Sequence, residues 1–187
     1  MAIMTLPNWI TVFRLVLIPF FVLFFYLPYK WSFYLSAFIF VAAALSDMLD
    51  GYLARKLNQS SEFGAFLDPV ADKLIVIISV VLLIEKFHSI YFTLPALVII
   101  SREIIISALR EWMSGLGLRS TVAVSMLGKL KTVAQMLSIT LFLILHAEHV
   151  KGLYDIAYAS FYLAAILTLW SMVVYLKAAW PVMLERG

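Results

Sequence analysis

Apolar residues run in long stretches separated by short polar segments. The stretches near 9–28, 32–54, 65–86, 90–112, 121–147 and 153–180 each approach or exceed the length of a membrane-crossing helix. Such a helix needs about 20 mostly apolar residues. The pattern therefore predicts an all-α fold of six transmembrane helices, with both termini on one side. Pro7 and Asn8 stand just before the first stretch. They predict a short N-terminal interfacial segment with Asn8 as the helix N-cap. No internal repeat or low-complexity tract interrupts the plan, so residues 1–187 read as a single membrane domain.

Composition strengthens this reading. Hydrophobic residues make up 64% of the chain and charged ones 13%. Soluble domains sit nearer half apolar and a quarter charged, so a water-soluble globule is excluded. Helix packing on helix, rather than water-driven collapse, must build the core. No Lys or Arg precedes Arg14, and the apolar run continues past it. The start of the chain therefore does not read as a cleavable signal. With no cysteine, disulfides and thiolate sites are excluded, and any metal must sit on oxygen or imidazole.

The formal charge is only +3, and its placement matters more than its size. Of the 14 Lys and Arg residues, Lys30, Lys86 and Lys151 fall on the side away from the termini, and the other eleven fall with the termini. Basic residues are retained on the cytoplasmic face, which predicts cytoplasmic termini. This account needs no nucleic-acid partner. Tyr26, Tyr29, Trp31, Tyr91 and Phe92 lie near the outer helix ends, where interfacial aromatic anchors are expected.

One stretch breaks the apolar pattern. Asp47, Asp50, Arg55, Lys56, Glu62, Asp68, Asp72 and Lys73 lie between the apolar runs of the second and third spans, on the cytoplasmic side. Asp47 and Asp50 are spaced i, i+3, and Asp68 and Asp72 i, i+4, so each pair shares a helical face. Gly51, Ala54 and Gly64 on these faces leave room for a bulky ligand near the backbone. A lone Asp at a helix end is usually a cap or a solvated residue. Four carboxylates at the edges of spans are expensive and point to function. They repel one another unless protonated or bound to cations, and an all-oxygen set favours hard ions such as Mg²⁺ or Mn²⁺. Two ions about 3.5–4 Å apart would form a clamp for phosphoryl chemistry, and Arg55 could meet a pyrophosphate. A cation transporter could line its path with the same residues.

Other polar groups divide by position. Arg110, Lys129 and Lys131 suit an acceptor phosphate, although cytoplasmic retention would also place them there. Arg102 joins them as a candidate, with a structural pair to Glu103 as the other reading, because both lie well inside an apolar run. His146, Glu148 and His149 fall at an outer helix end and read as a solvated loop. His88 likewise reads as an interfacial loop residue.

Asp47-Met-Leu-Asp50-Gly51-Tyr-Leu-Ala54-Arg55, followed by Gly64-Ala-Phe-Leu-Asp68-Pro-Val-Ala-Asp72, resembles the CDP-alcohol phosphatidyltransferase motif, with all eight positions intact. The likeness extends over most of the chain to bacterial members that use glycerol 3-phosphate. It runs through Asn8-Trp-Ile-Thr11-Val-Phe-Arg14, Ser101-Arg102-Glu103, Ala108-Leu109-Arg110-Glu111-Trp112 and Gly128-Lys129-Leu-Lys131-Thr132 with Gln135, whereas the last span carries no motif. The resemblance implies a membrane homodimer among lipids, with a cytoplasm-facing site for CDP-diacylglycerol and glycerol 3-phosphate. It implies two divalent metal ions held by Asp47, Asp50, Asp68 and Asp72, with Asp72 also the general base. Asp47, Gly51, Ala54, Arg55 and Gly64 are implied to hold the CDP portion. The acidic motif reads only the CDP-lipid side, so serine or inositol phosphate stays open as the acceptor.

Overall fold

Among the described residues six helices follow one another: α1 (Leu6–Tyr26), α2 (Lys30–Leu57), α3 (Glu62–Phe87), α4 (Ile90–Gly115), α5 (Met126–Ala147) and α6 (Lys151–Arg186). The computed structural model describes residues 6–57, 62–117, 126–147 and 150–186. Within them, the side chains at 6, 7, 47–55, 57, 62, 63, 65, 66, 126–129, 146, 147, 151, 185 and 186 lie outside the description. Each predicted span corresponds to one helix, and no strand occurs among the described residues. The chain is an all-α membrane protein.

Among the described residues, Asn8–Tyr26, Ile90–Gly115 and Gly152–Leu184 are long and apolar enough to cross a membrane, while Lys30–Ser46 and Leu130–Leu145 form shorter apolar helical stretches. In α3 the apolar run 74–84 is bounded by Asp72 and Lys73 on one side and by Glu85 and Lys86 on the other. That flanking charge is why α3 is not among the three.

The chain divides into two units. The first comprises Met1–Ser79 with Thr140–Tyr154. Here α1 packs against α2. Asn8, Thr11, Arg14, Ile18, Phe21 and Phe25 are all buried, at spacings of three and four that mark one helical face. Asn8 is therefore not the N-cap expected from the sequence. The helix already begins at Leu6, because Pro7 is tolerated in a first turn whose N–H groups lack helical partners. Residues 27–29 join α1 to α2, and Ser32 Oγ donates to the carbonyls of Leu27 (3.0 Å) and Tyr29 (2.6 Å). Buried Ser32, Ser36 and Ala43 on α2 are the small residues that let membrane helices approach closely.

The second unit comprises Val80–Ile139 with Asp155–Gly187. Buried positions on α4 include Phe92, Ala96, Ile99, Arg102, Ile106, Leu109 and Met113, and on α6 Phe161, Ala164, Thr168, Ser171, Tyr175 and Ala179. Both sets advance in steps of three and four, the seam of helices packing at a shallow angle. Phe92 meets Phe161 at one end, and Ile106, Leu109 and Met113 cluster with Tyr175 and Ala179 at the other. Numbers rise together along both helices, so α4 and α6 run parallel. At its end α4 closes through Leu116 N–H to the Trp112 carbonyl, followed by Gly117 at φ +73°, a left-handed conformation suited to glycine.

Aromatic placement is partly as expected. Tyr29 stacks on Trp31 (5.8 Å between ring centroids), and Tyr26, Tyr29, Trp31 and Tyr91 are exposed. Phe92 is the exception, fully buried rather than interfacial. It stacks on Phe161 (4.7 Å) and Phe87 (5.1 Å) and meets Tyr158 edge-on (6.5 Å). Its ring has no polar tip to keep at the headgroups, so packing decides its position. Phe92→Ala should lower unfolding stability in detergent by about 3–5 kcal/mol. Tyr91→Ala, at a 71% exposed position, should change it by less than about 0.5 kcal/mol. Equal losses for the two variants in a denaturant titration would contradict this division.

Candidate active site

The acidic candidates lie on α2 and α3. Positions 47, 50, 51 and 54 fall in the unbroken helical end of α2, where spacings of i, i+3, i+4 and i+7 keep them on one face. The side chains of Asp47, Asp50, Gly51, Ala54 and Arg55 lie outside the described residues. On α3, Gly64, Asp68 and Asp72 succeed one another every four residues, again on one face. Gly64 is buried, and Asp68 and Asp72 are half-buried. Thr11 Oγ1 on α1 donates a 2.5 Å hydrogen bond to Asp68 Oδ1, a length typical of a hydroxyl bound to a charged carboxylate. Lys73 Nζ turns back to the carbonyl of Pro69 (3.0 Å).

The donor chemistry of this segment fits a hard divalent ion. Between residues 47 and 72 there is no His or Cys, and each carboxylate offers about four lone-pair sites, so the Thr11 bond leaves Asp68 with acceptor capacity. Among the described residues no group of three or more His, Cys, Asp or Glu assembles; Asp68 and Asp72 are two of the expected four ligands.

The basic candidates belong to the second unit. Arg102 is buried on α4, and its Nη2 donates to Ser171 Oγ on α6 (3.3 Å). Arg110, two turns further along α4, donates from Nη2 to Tyr175 Oη (2.8 Å). The Tyr175 ring lies beneath both guanidiniums, with centroid distances of 5.7 Å to Arg102 and 5.0 Å to Arg110. Lys131, buried on α5, pairs with Glu103 Oε1 through a short hydrogen bond. Arg102 Nη1 stands 3.6 Å from the same oxygen. Glu103 thus faces two cations, and the closer one is Lys131 rather than the neighbouring Arg102 expected from the sequence. Glu103 is nearer to Lys131 because α5 brings that ammonium to it directly, whereas Arg102 is turned toward α6. The Nε atoms of Arg102 and Arg110 are buried without a hydrogen-bond partner, so neither guanidinium is fully satisfied within the fold.

Arg102, Arg110 and Lys131 are therefore grouped around Glu103, Ser171 and Tyr175. Lys129 is helical in α5, but its side chain lies outside the described residues, as do those of His146, Glu148 and His149. The sequence reading missed Ser171 and Tyr175, since α6 carries no motif. A signal was available: Thr168, Ser171 and Tyr175 form a polar line at i, i+3 and i+7 within the largely apolar stretch Phe161–Leu176.

A profile of the CDP-alcohol phosphatidyltransferase family matches residues 4–175. The chain belongs to this family. Curated CDP-alcohol phosphatidyltransferases align with it almost end to end. One from Sodalis glossinidius (strain morsitans) is 56% identical over 176 residues, covering 94% of this chain and 95% of its own. One from Yersinia pestis (strain Pestoides F) is 54% identical over 185 residues, covering 97% and 98%. A third, from Shigella flexneri serotype 5b (strain 8401), is 55% identical over 181 residues with the same coverage. All three carry the name CDP-diacylglycerol–glycerol-3-phosphate 3-phosphatidyltransferase. In this CDP-alcohol phosphatidyltransferase the described acidic candidates, Asp68 and Asp72, lie on α3, and the described basic candidates on α4 and α5.

The Tyr175 contacts make a graded test possible. Tyr175→Phe keeps the ring under both arginines and removes the hydroxyl, which should cost about 0.6–2 kcal/mol for an interhelical hydrogen bond in a membrane protein. Tyr175→Leu also removes the ring and should cost about 0.5–2 kcal/mol more. Unfolding in a denaturing detergent reads both steps, and identical stability of the Phe variant and the parent would show that the hydroxyl contributes nothing.

Proposed function

We propose that this protein transfers the phosphatidyl group of CDP-diacylglycerol to sn-glycerol 3-phosphate, giving phosphatidylglycerophosphate and CMP in anionic phospholipid biosynthesis. The observation that carries this reading is 54–56% identity along nearly the whole chain to relatives named for that reaction. The acidic motif on α2 and α3 supplies a chemical reason for it.

Asp47, Asp50, Asp68 and Asp72 would hold two divalent ions, Mg²⁺ or Mn²⁺. When bound, such ions supply neutralisation of the pyrophosphate charge and of the departing CMP. Asp47, Gly51, Ala54, Arg55 and Gly64 hold the CDP portion, the small residues admitting it close to the helix backbone. An Asp72 carboxylate oxygen takes the proton of the acceptor hydroxyl. That hydroxyl oxygen attacks the phosphorus bonded to diacylglycerol, and the bond from this phosphorus to the bridging pyrophosphate oxygen breaks. Both acyl chains stay in the bilayer throughout.

Arg110, Lys129, Lys131 and Arg102 take the acceptor phosphate. Charge supports this role: among the described ion pairs Arg102 and Lys131 share the Glu103 carboxylate, and Arg110 lies beside them on the Tyr175 ring. Such a grouping of cations suits a phosphate monoester. Residues 1–187 act as one domain within a homodimer of the bacterial inner membrane, with both termini and the site facing the cytoplasm.

Purified protein given CDP-diacylglycerol should release CMP when glycerol 3-phosphate and a divalent metal are both present, and not with serine or inositol phosphate. Full turnover after verified metal removal would refute the metal role, and release with serine alone would reassign the acceptor. Asp72→Asn should lower kcat by about 10²–10⁴-fold while CDP-diacylglycerol still binds. Arg110→Ala should raise KM for glycerol 3-phosphate by roughly ten- to a hundred-fold, the worth of one charge-assisted contact, with KM for CDP-diacylglycerol unchanged.

A further inference from the structure

The buried face of α1 is unusual for a helix packed inside a membrane protein. Its first three positions, Asn8, Thr11 and Arg14, are polar or charged and at most 2% exposed. Only beyond them do Ile18, Phe21 and Phe25 make the face apolar. Burying such groups is costly unless each serves a partner, and for Thr11 the partner lies 57 residues away on α3.

Helical hydroxyls have an easier option. They can fold back onto the carbonyl three or four residues earlier, and in this chain Ser36, Ser79 and Thr93 do so at i−4, and Ser46, Ser138 and Ser171 at i−3. The Thr11 hydroxyl reaches across to Asp68 Oδ1 at 2.5 Å. As a β-branched residue in a helix, it has few rotamers available. The direction of the donated bond is therefore fixed by the α1 backbone rather than by a flexible side chain.

We propose that Thr11 is a positioning residue for metal binding: its buried hydroxyl fixes the orientation of the Asp68 carboxylate, leaving the remaining lone pairs for the divalent ion. The proposal rests on the reading of Asp68 as a metal ligand. Thr11 contributes through Asp68 and needs no contact with substrate. Ligating carboxylates are commonly held by such outer hydrogen bonds, whose loss typically weakens metal affinity 10–100-fold.

The test uses the full-length protein in detergent, stripped of metal and without substrates, with Mn²⁺ binding followed by the electron paramagnetic resonance signal of free Mn²⁺. Thr11→Val keeps the branched shape and removes the hydroxyl. It should weaken Mn²⁺ binding by roughly 10–100-fold, and Thr11→Ser, which restores a donor, should return it close to the parent value. Asp68→Asn serves as the reference for loss of the ligand itself. Parent-like binding by Thr11→Val, with binding lost in Asp68→Asn, would overturn the role of Thr11 and leave the metal reading standing. Parent-like binding by Asp68→Asn would instead overturn Asp68 as a ligand, and the Thr11 proposal with it. Equal weakening in the Val and Ser variants would assign the effect to packing of α1 and contradict a role for the hydroxyl. Should Thr11→Val fail to fold, Thr11→Ala against Thr11→Ser makes the same comparison.

Discussion

A polar or charged group on a bilayer-embedded helix needs a partner, because lipid supplies no hydrogen bonds to replace those of water. The described charges of this protein obey that constraint through a few specific pairings. Thr11 serves Asp68, Glu103 serves Lys131, and Ser171 and Tyr175 serve Arg102 and Arg110. Each pairing joins two different helices, so the polar chemistry also fixes which helix faces meet. Apolar packing alone would do this less selectively, since Leu and Phe faces are nearly as comfortable against lipid tails as against each other.

The two polar groupings have opposite character, as the two substrates require. On α3 the donors are carboxylate oxygens, suited to hard cations that gather a pyrophosphate. Across α4, α5 and α6 a group of cations is held by one carboxylate, two hydroxyls and one aromatic ring among the described residues. The Glu103 carboxylate orients the Lys131 ammonium through a direct hydrogen bond. The buried Arg102 and Arg110 Nε atoms without partners show that the guanidiniums retain donors beyond those the fold consumes. Arg suits this work better than Lys, because its planar fork can stack on Tyr175 and still present donors to a phosphate.

Much of this architecture was legible in the sequence. Six apolar runs give six helices, since length and hydropathy are one-dimensional properties. The motif from Asp47 to Asp72 names its family because it fixes residue types over a long spacing. What escaped were decisions made by tertiary contact. Asn8 looked like a cap, yet Pro7 lets the helix start earlier and turns Asn8 inward. Phe92 looked like an interfacial anchor, yet Phe87 and Phe161 enclose it. The pair of Glu103 with Arg102, open in the sequence, forms at 3.6 Å, whereas the closer contact with Lys131 on another helix was not legible there. Tyr175 and Thr11 carry no local signal strong enough to name their partners, because those partners are 65 and 57 residues away.

The central claim is that an acceptor hydroxyl of glycerol 3-phosphate displaces CMP from CDP-diacylglycerol at this protein. Tracing oxygen tests it most directly: glycerol 3-phosphate carrying ¹⁸O in its hydroxyl groups is supplied with unlabelled CDP-diacylglycerol, and both products are weighed by mass spectrometry. The account predicts that the label enters the lipid product, in a phosphodiester joining diacylglycerol to glycerol phosphate, and that CMP stays unlabelled. Label in CMP, or unlabelled phosphatidic acid as the sole lipid product, would contradict it.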